Sequence, residues 1–126
     1  MPGEVKRSAR VSAMLVKELA WLLTRTVKDP RVAFVTITRV LMPDDLRTAR
    51  VMVRLIKDGE VAERRREALV GLKSAAGLLR KEASRRIGLR VAPELSFAYD
   101  EGQDEVTRIE VLLEEVKAEE RARSRR

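Results

Sequence analysis

Ala49-Arg50-Val51-Met52-Val53-Arg54-Leu55 decides how this chain folds. Ala49, Val51, Val53 and Leu55 recur at every second residue while Arg50 and Arg54 take the other side, which is the period of a half-buried β-strand. Upstream, residues 32–41 are rich in Val, Ile, Thr and Phe, and Val35-Thr36-Ile37-Thr38 alternates in the same way. Met42-Pro43-Asp44-Asp45 separates the two runs with turn residues, so together they predict an antiparallel hairpin with a longer loop.

Toward the N-terminus, Val11, Leu15, Leu19, Leu22 and Leu23 recur at three-to-four spacing, with Met14 and Trp21 widening the stripe. This predicts an amphipathic helix, N-capped by Ser8 and ended by about Lys28, because Pro30 disfavours helix at Asp29. A strand is expected to follow at once. On the other side, Asp58-Gly59 closes the hairpin, and Ala68, Leu69, Leu72, Ala75, Ala76, Leu79, Ala83 and Ile87 give residues 61–87 helical spacing. That span is long for a small domain, and Gly71 and Gly77 lie inside it. Two helices meeting at a kink in Ser74-Ala75-Ala76-Gly77 are expected, with Gly88 as the C-cap. Residues 89–99 read as a third strand that is interrupted, or at an edge, at Pro93. Val106, Ile109, Leu112, Leu113 and Val116 predict an appended helix with a frayed tail. The expected fold is therefore α+β: an α-β-β-α-α-β domain over residues 1–100, its three-stranded sheet packed on helices, then a C-terminal helix and charged tail over 101–126.

At 126 residues the chain has the length of one domain, and 44% hydrophobic residues are enough for a modest core. Cysteine and histidine are absent, which removes disulfides, thiol nucleophiles, the common zinc sites and the usual general base of neutral-pH catalysis. There is no Walker-type phosphate loop. Asp29, Asp44 and Asp45 are the carboxylates that could hold Mg²⁺, but Asp-Pro and Pro-Asp-Asp are ordinary turn chemistry. No enzymatic activity, metal or cofactor is expected. No apolar run is long enough to span a bilayer and no signal-peptide core opens the chain, so a soluble cytoplasmic protein without a membrane partner is expected.

The formal net charge is +7, and residues 100–126 hold nine acids against six bases, so the first 99 residues carry +10. Residues 64–90 concentrate it: Arg64, Arg65, Arg66, Lys73, Arg80, Lys81, Arg85, Arg86 and Arg90 face only Glu67 and Glu82. Helical spacing puts Leu79, Ala83 and Ile87 on one side, Lys81 and Arg85 nearly opposite, and Arg80 and Arg86 flanking. Such a ridge could be only a solvated face, but the missing counter-charges favour an anionic partner. The expected RNA-binding set is Lys73, Ser74, Ala75, Gly77, Arg80, Lys81, Arg85, Arg86 and Arg90, with Arg7, Arg10 and Arg31 flanking. The kink would turn the first backbone N–H groups of a following helix toward a phosphate. Trp21, Phe34, Phe97 and Tyr99 all sit in apolar contexts and are expected in the core, leaving no stacking platform.

The order of elements and five local strings resemble the ribosome-binding factor A family. The strings are Arg7-Ser8-Ala9-Arg10-Val11, Lys28-Asp29-Pro30-Arg31, residues 42–51 from Met42-Pro43-Asp44-Asp45 through Val51, Ala75-Ala76-Gly77, and Arg90-Val91-Ala92-Pro93-Glu94-Leu95-Ser96-Phe97. The resemblance extends to about Lys117. It implies a type II KH-like fold with an Ala-x-Gly interhelical kink, matched by Ala75-Ala76-Gly77. It further implies binding of a monomer to the immature, free 30S subunit rather than the 70S ribosome. Contact with 16S rRNA near its 5′ end and the subunit neck, support of 16S maturation and a particular need in the cold are also implied. Two other readings compete: a basic α/β protein-interaction module for an acidic protein partner, and a metal-dependent nuclease using Asp44 and Asp45.

Overall fold

The computed structural model of the chain describes residues 6–102 and 105–124, with the side chains of 103–111 outside the described set. The first apolar stripe forms helix α1 (Arg7–Arg25), which buries Val11, Leu15, Leu19 and Leu22. Its N-cap is Lys6, in extended backbone, and not Ser8. Ser8 is already inside the first turn and buried, and its hydroxyl donates to Asp44 Oδ1 at 3.2 Å, tying the helix to the hairpin loop. The next strand does not begin at once. Asp29 accepts the backbone N–H of Arg31 at 2.9 Å and Pro30 supplies the fixed φ of a first helical position, so Pro30–Val32 forms a 3₁₀ turn, η1.

Strand β1 (Val35–Leu41) pairs antiparallel with β2 (Thr48–Leu55), from Val35 opposite Leu55 to Leu41 opposite Arg50, with a bulge at Thr38. Strand β3 (Glu94–Tyr99) pairs parallel with β2, from Thr48 opposite Glu94 to Val53 opposite Tyr99. The order β1-β2-β3 makes β3 an edge, and it starts just after Pro93, which has no N–H to donate. Ala49, Val51 and Val53 join α1 and the long helix α2 (Ala62–Ile87) in one core. The opposite face of the sheet is also covered. Helix α3 (Glu105–Ser124) packs across β2 and β1, and Met52 and Val116 are each left 1% exposed. Arg50 Nη2 secures it by donating to Glu115 at 2.9 Å and Glu119 at 3.3 Å. The expected C-terminal helix is thus present; the side chains of Val106 and Ile109 lie outside the described residues.

The architecture is the expected α+β, KH-like one, with one correction. The two helices expected to meet at Gly77 are a single unbroken helix, α2. No proline interrupts the segment, Ala75 and Ala76 favour helix, and Gly77 is not among the residues with positive φ. A side chain at Gly77 would meet nothing within 4 Å. No interior helix start exists to present backbone N–H groups to a phosphate. The close approach falls one turn and a half earlier, at Gly71, where a Cβ would stand 2.9 Å from Val32 Cγ1 and 3.1 Å from Arg31 Cβ. Gly88 ends the helix as expected: it is left-handed at φ 85°, and Leu89 N donates to Ser84 O at 2.9 Å.

The two interior glycines should therefore respond oppositely to alanine. Gly77→Ala should raise stability in urea unfolding by up to about 1 kcal/mol. Gly71→Ala should lower it by about 1–3 kcal/mol, because η1 must move. Equal effects at both positions would contradict this packing.

Candidate nucleic-acid interface

The nine cations of residues 64–90 do not form one naked ridge. Arg64 pairs with Glu67 at 3.6 Å, Arg65 with Glu101 at 3.0 Å, Arg66 with Glu63, Arg85 with Glu82 at 2.7 Å, and Arg86 with Glu18 of α1. The counter-charge missing from the local sequence is partly supplied from outside it, by Glu63, Glu101 and Glu18. The Arg85 guanidinium holds the Glu82 carboxyl below its usual range. Arg80 donates to the Ala92 carbonyl through Nε at 3.3 Å and Nη2 at 2.9 Å. Lys73, Lys81 and Arg90 make no ion pair among the described residues.

The apolar seam is where helical spacing puts it: Leu79 and Ala83 are buried, while Lys81 and Arg85 are exposed. Of the expected contact residues, Ser74 and Gly77 are exposed on α2, whereas Ala75 packs against the core. Arg10 is exposed on α1. Arg31 stands in η1 with its guanidinium on Asp29, 2.6 Å away. This pairing lowers the Asp29 pKa and raises that of Arg31. Arg7 and Arg90 line one pocket and Arg31 another.

Arg66, Lys73 and Arg80 stand seven residues apart, which brings them onto one flank of α2. Between this flank and edge strand β3 lies a groove of about 600 Å³, with Arg65, Arg66 and Lys73 at its rim and Leu69, Val70, Leu95, Phe97 and Tyr99 among its walls. Glu101 also lines the groove and pairs with Arg65, so Lys73 is the rim cation without a carboxylate partner among the described residues; apolar walls beside such a cation suit a chain with flat bases and a charged backbone. Phe97 packs against the core as expected, but Trp21, Phe34 and Tyr99 are not part of it, which corrects the expectation from sequence. Trp21 and Phe34 are 41% and 46% exposed, and Phe97 and Tyr99 are half-buried in the groove wall. Guanidinium groups stack 4.1 Å from two of these rings, Arg86 on Trp21 and Arg65 on Tyr99. The Tyr99 hydroxyl accepts the Leu55 N–H at 3.2 Å, which fixes the ring.

The carboxylates do turn work. Asp29 caps η1, Asp45 accepts the Arg47 N–H at 3.1 Å, and Asp44 takes the Ser8 hydroxyl. No group of three or more Asp or Glu residues that could hold a metal occurs among the described residues. No described helix is long and apolar enough to cross a membrane. Reading by composition missed the groove and the placement of Arg65 and Arg66 on its rim. The seven-residue spacing of Arg66, Lys73 and Arg80 was a usable signal, but the partner wall comes from β3, which only the parallel pairing brings alongside α2.

The family model for ribosome-binding factor A matches residues 7–113. A ribosome-binding factor A from Sorangium cellulosum is 49% identical over 117 residues, covering 93% of this chain and 94% of the relative. The crystal structure of ribosome-binding factor A from Thermus thermophilus superposes with a TM-score of 0.61 at 27% identity, over 73% of this chain and 94% of that one. A Thermus thermophilus ribosome-binding factor A fitted into the cryo-electron microscopy map of its complex with the 30S subunit gives a TM-score of 0.60 at 26% identity, over 76% and 98%. The match across nearly all of α1 to β3, and on into α3, places this chain in the ribosome-binding factor A family, a family of non-catalytic ribosome assembly factors.

Proposed function

We infer that this protein binds the small ribosomal subunit through 16S rRNA, as a monomeric cytoplasmic assembly factor that acts on the free, immature 30S particle and supports 16S maturation. The observation that carries this reading is the pair of exposed cations Lys73 and Arg80, one on no carboxylate among the described residues and the other on the Ala92 carbonyl, on the flank of α2 beside the groove walled by Phe97 and Tyr99. The Thermus relative seated on a 30S subunit supports the choice of partner. Family membership supports placing the contact near the 16S 5′ end and the subunit neck, and a need in the cold. Recognition would rest on phosphate and shape, with limited stacking in the groove.

Lys73 and Lys81 test the interface because neither is held in an ion pair among the described residues. Lys73→Glu combined with Lys81→Glu should leave thermal unfolding nearly unchanged and weaken binding to purified 30S subunits. Losing two phosphate contacts should flatten the log–log salt dependence by roughly 1.4–1.8. Competition discriminates the partner: 16S rRNA should displace the bound protein far better than polyglutamate at equal charge, and the reverse would favour an acidic protein partner.

The turn roles of Asp44 and Asp45 predict no hydrolysis. Precursor 16S rRNA incubated with the protein and Mg²⁺ should remain intact. Cleavage that disappears in Asp44→Asn with Asp45→Asn would establish the nuclease reading instead.

A further inference from the structure

Three arginines that the fold does not use meet at one pocket. Arg7 opens α1, Arg47 ends the β1–β2 loop, and Arg90 lies in the loop from α2 to β3; together they line a cavity of about 280 Å³ walled by Leu46, Leu89 and Val91. All three are exposed, and none of their guanidinium groups makes a hydrogen bond or ion pair among the described residues. The acid at this pocket, Asp45, is committed to the Arg47 backbone N–H at 3.1 Å and pairs with no guanidinium among the described residues. The first turn of α1 contributes no acid either.

The backbones carrying these side chains are held firmly. Ser8 binds Asp44 across to the loop, Arg47 O accepts the Glu94 N–H at 2.9 Å, and Gly88 and Leu89 close the end of α2 on Ser84. Leu46 sits at φ 61°, a left-handed conformation unfavourable for leucine, immediately before Arg47. Fixed backbones with three unneutralised like charges around one cavity are arranged for an anion.

We propose that Arg7, Arg47 and Arg90 form a phosphate-binding site for the RNA backbone, separate from the α2–β3 groove. The proposal rests on the RNA-binding reading above and adds a second anchor to it. Three guanidinium forks can direct more N–H donors at one point than a single carboxylate can accept, whereas the oxygens of a phosphate can take them. The pocket also continues the cationic flank of α2. Arg80, the last residue of that flank, grips Ala92, next to Val91 in the pocket wall. The phosphate is either an internal diester or a terminal monoester.

The test uses the full chain and one single-stranded RNA oligonucleotide, made with a 5′-hydroxyl and with a 5′-monophosphate, titrated by fluorescence anisotropy over a range of salt. Arg47→Ala and Arg90→Ala should each weaken binding about tenfold, as loss of a charge-assisted contact would. Each should flatten the salt slope by about 0.7. Arg47→Lys and Arg90→Lys should keep the slope but recover only part of the affinity, because the charge remains and the fork is gone. Equal losses on both RNAs identify an internal phosphodiester, and losses confined to the 5′-phosphorylated RNA identify a terminal phosphate. Unchanged binding in the alanine variants, while Lys73→Glu with Lys81→Glu weakens it, would overturn this site and leave the RNA reading standing. Insensitivity of RNA binding to both sets would remove both. Losses seen only with polyglutamate would assign the pocket to an acidic protein and overturn the proposal.

Discussion

Helix α2 can lie against the η1 turn because Gly71 has no side chain where Val32 Cγ1 and Arg31 Cβ press on it. That contact sets the height of α2 above the sheet, and with it the width of the groove to β3 and the direction in which Lys73 and Arg80 leave the surface. The turn on the other side of the contact is equally constrained. Asp29 receives the Arg31 N–H and guanidinium together, so Pro30–Val32 presents Val32 to the helix in one conformation. A small residue on one element and a capped turn on the other thus hold the two layers in register.

Electrostatics divides the surface according to what the fold consumes. On α2, Arg64, Arg66 and Arg85 are spent on glutamates three residues away, while Arg65 and Arg86 reach Glu101 and Glu18 on other elements. Exposed pairs of this kind add little stability, but they cancel charge locally. The net +7 is therefore expressed at fewer places than the composition suggests, and Lys73, Lys81 and the guanidinium groups of Arg7, Arg47 and Arg90 are among them. A partner that senses charge meets these positions.

Periodicity made the hairpin, α1 and the exit at Gly88 legible, because each is settled by residues close in sequence. The same local logic misassigned Ser8, whose hydroxyl prefers Asp44 thirty-six positions away to its own helix terminus. It also divided α2 at Gly77, where a glycine preceded by two alanines and free of nearby proline continues the helix. Met52 carried no sign that it would be buried on the outer face, since that burial depends on Val116 of α3 folding back. The basic character of α2 was legible as a count, but which cations remain available depended on Glu18 and Glu101, partners that only tertiary structure supplies. The alternation of Phe97 and Tyr99 marks an inward face, and Phe97 does pack on the core, but the sheet ends at β3, so both rings also open onto a groove.

The mixed pairing of the sheet also bears on how the chain reaches this state. β1 and β2 are neighbours in sequence and can zip from their loop, whereas β3 meets β2 in parallel only after the whole of α2 has crossed between them. Closing that long connection costs entropy before any β2–β3 hydrogen bond forms, so the edge strand is the late arrival in folding. Until it docks, one side of β2 and the apolar flank of α2 are bare, and the groove that β3 walls does not yet exist. A chain emerging N-terminus first therefore cannot offer that surface to a partner until residues 94–99 have been made and docked.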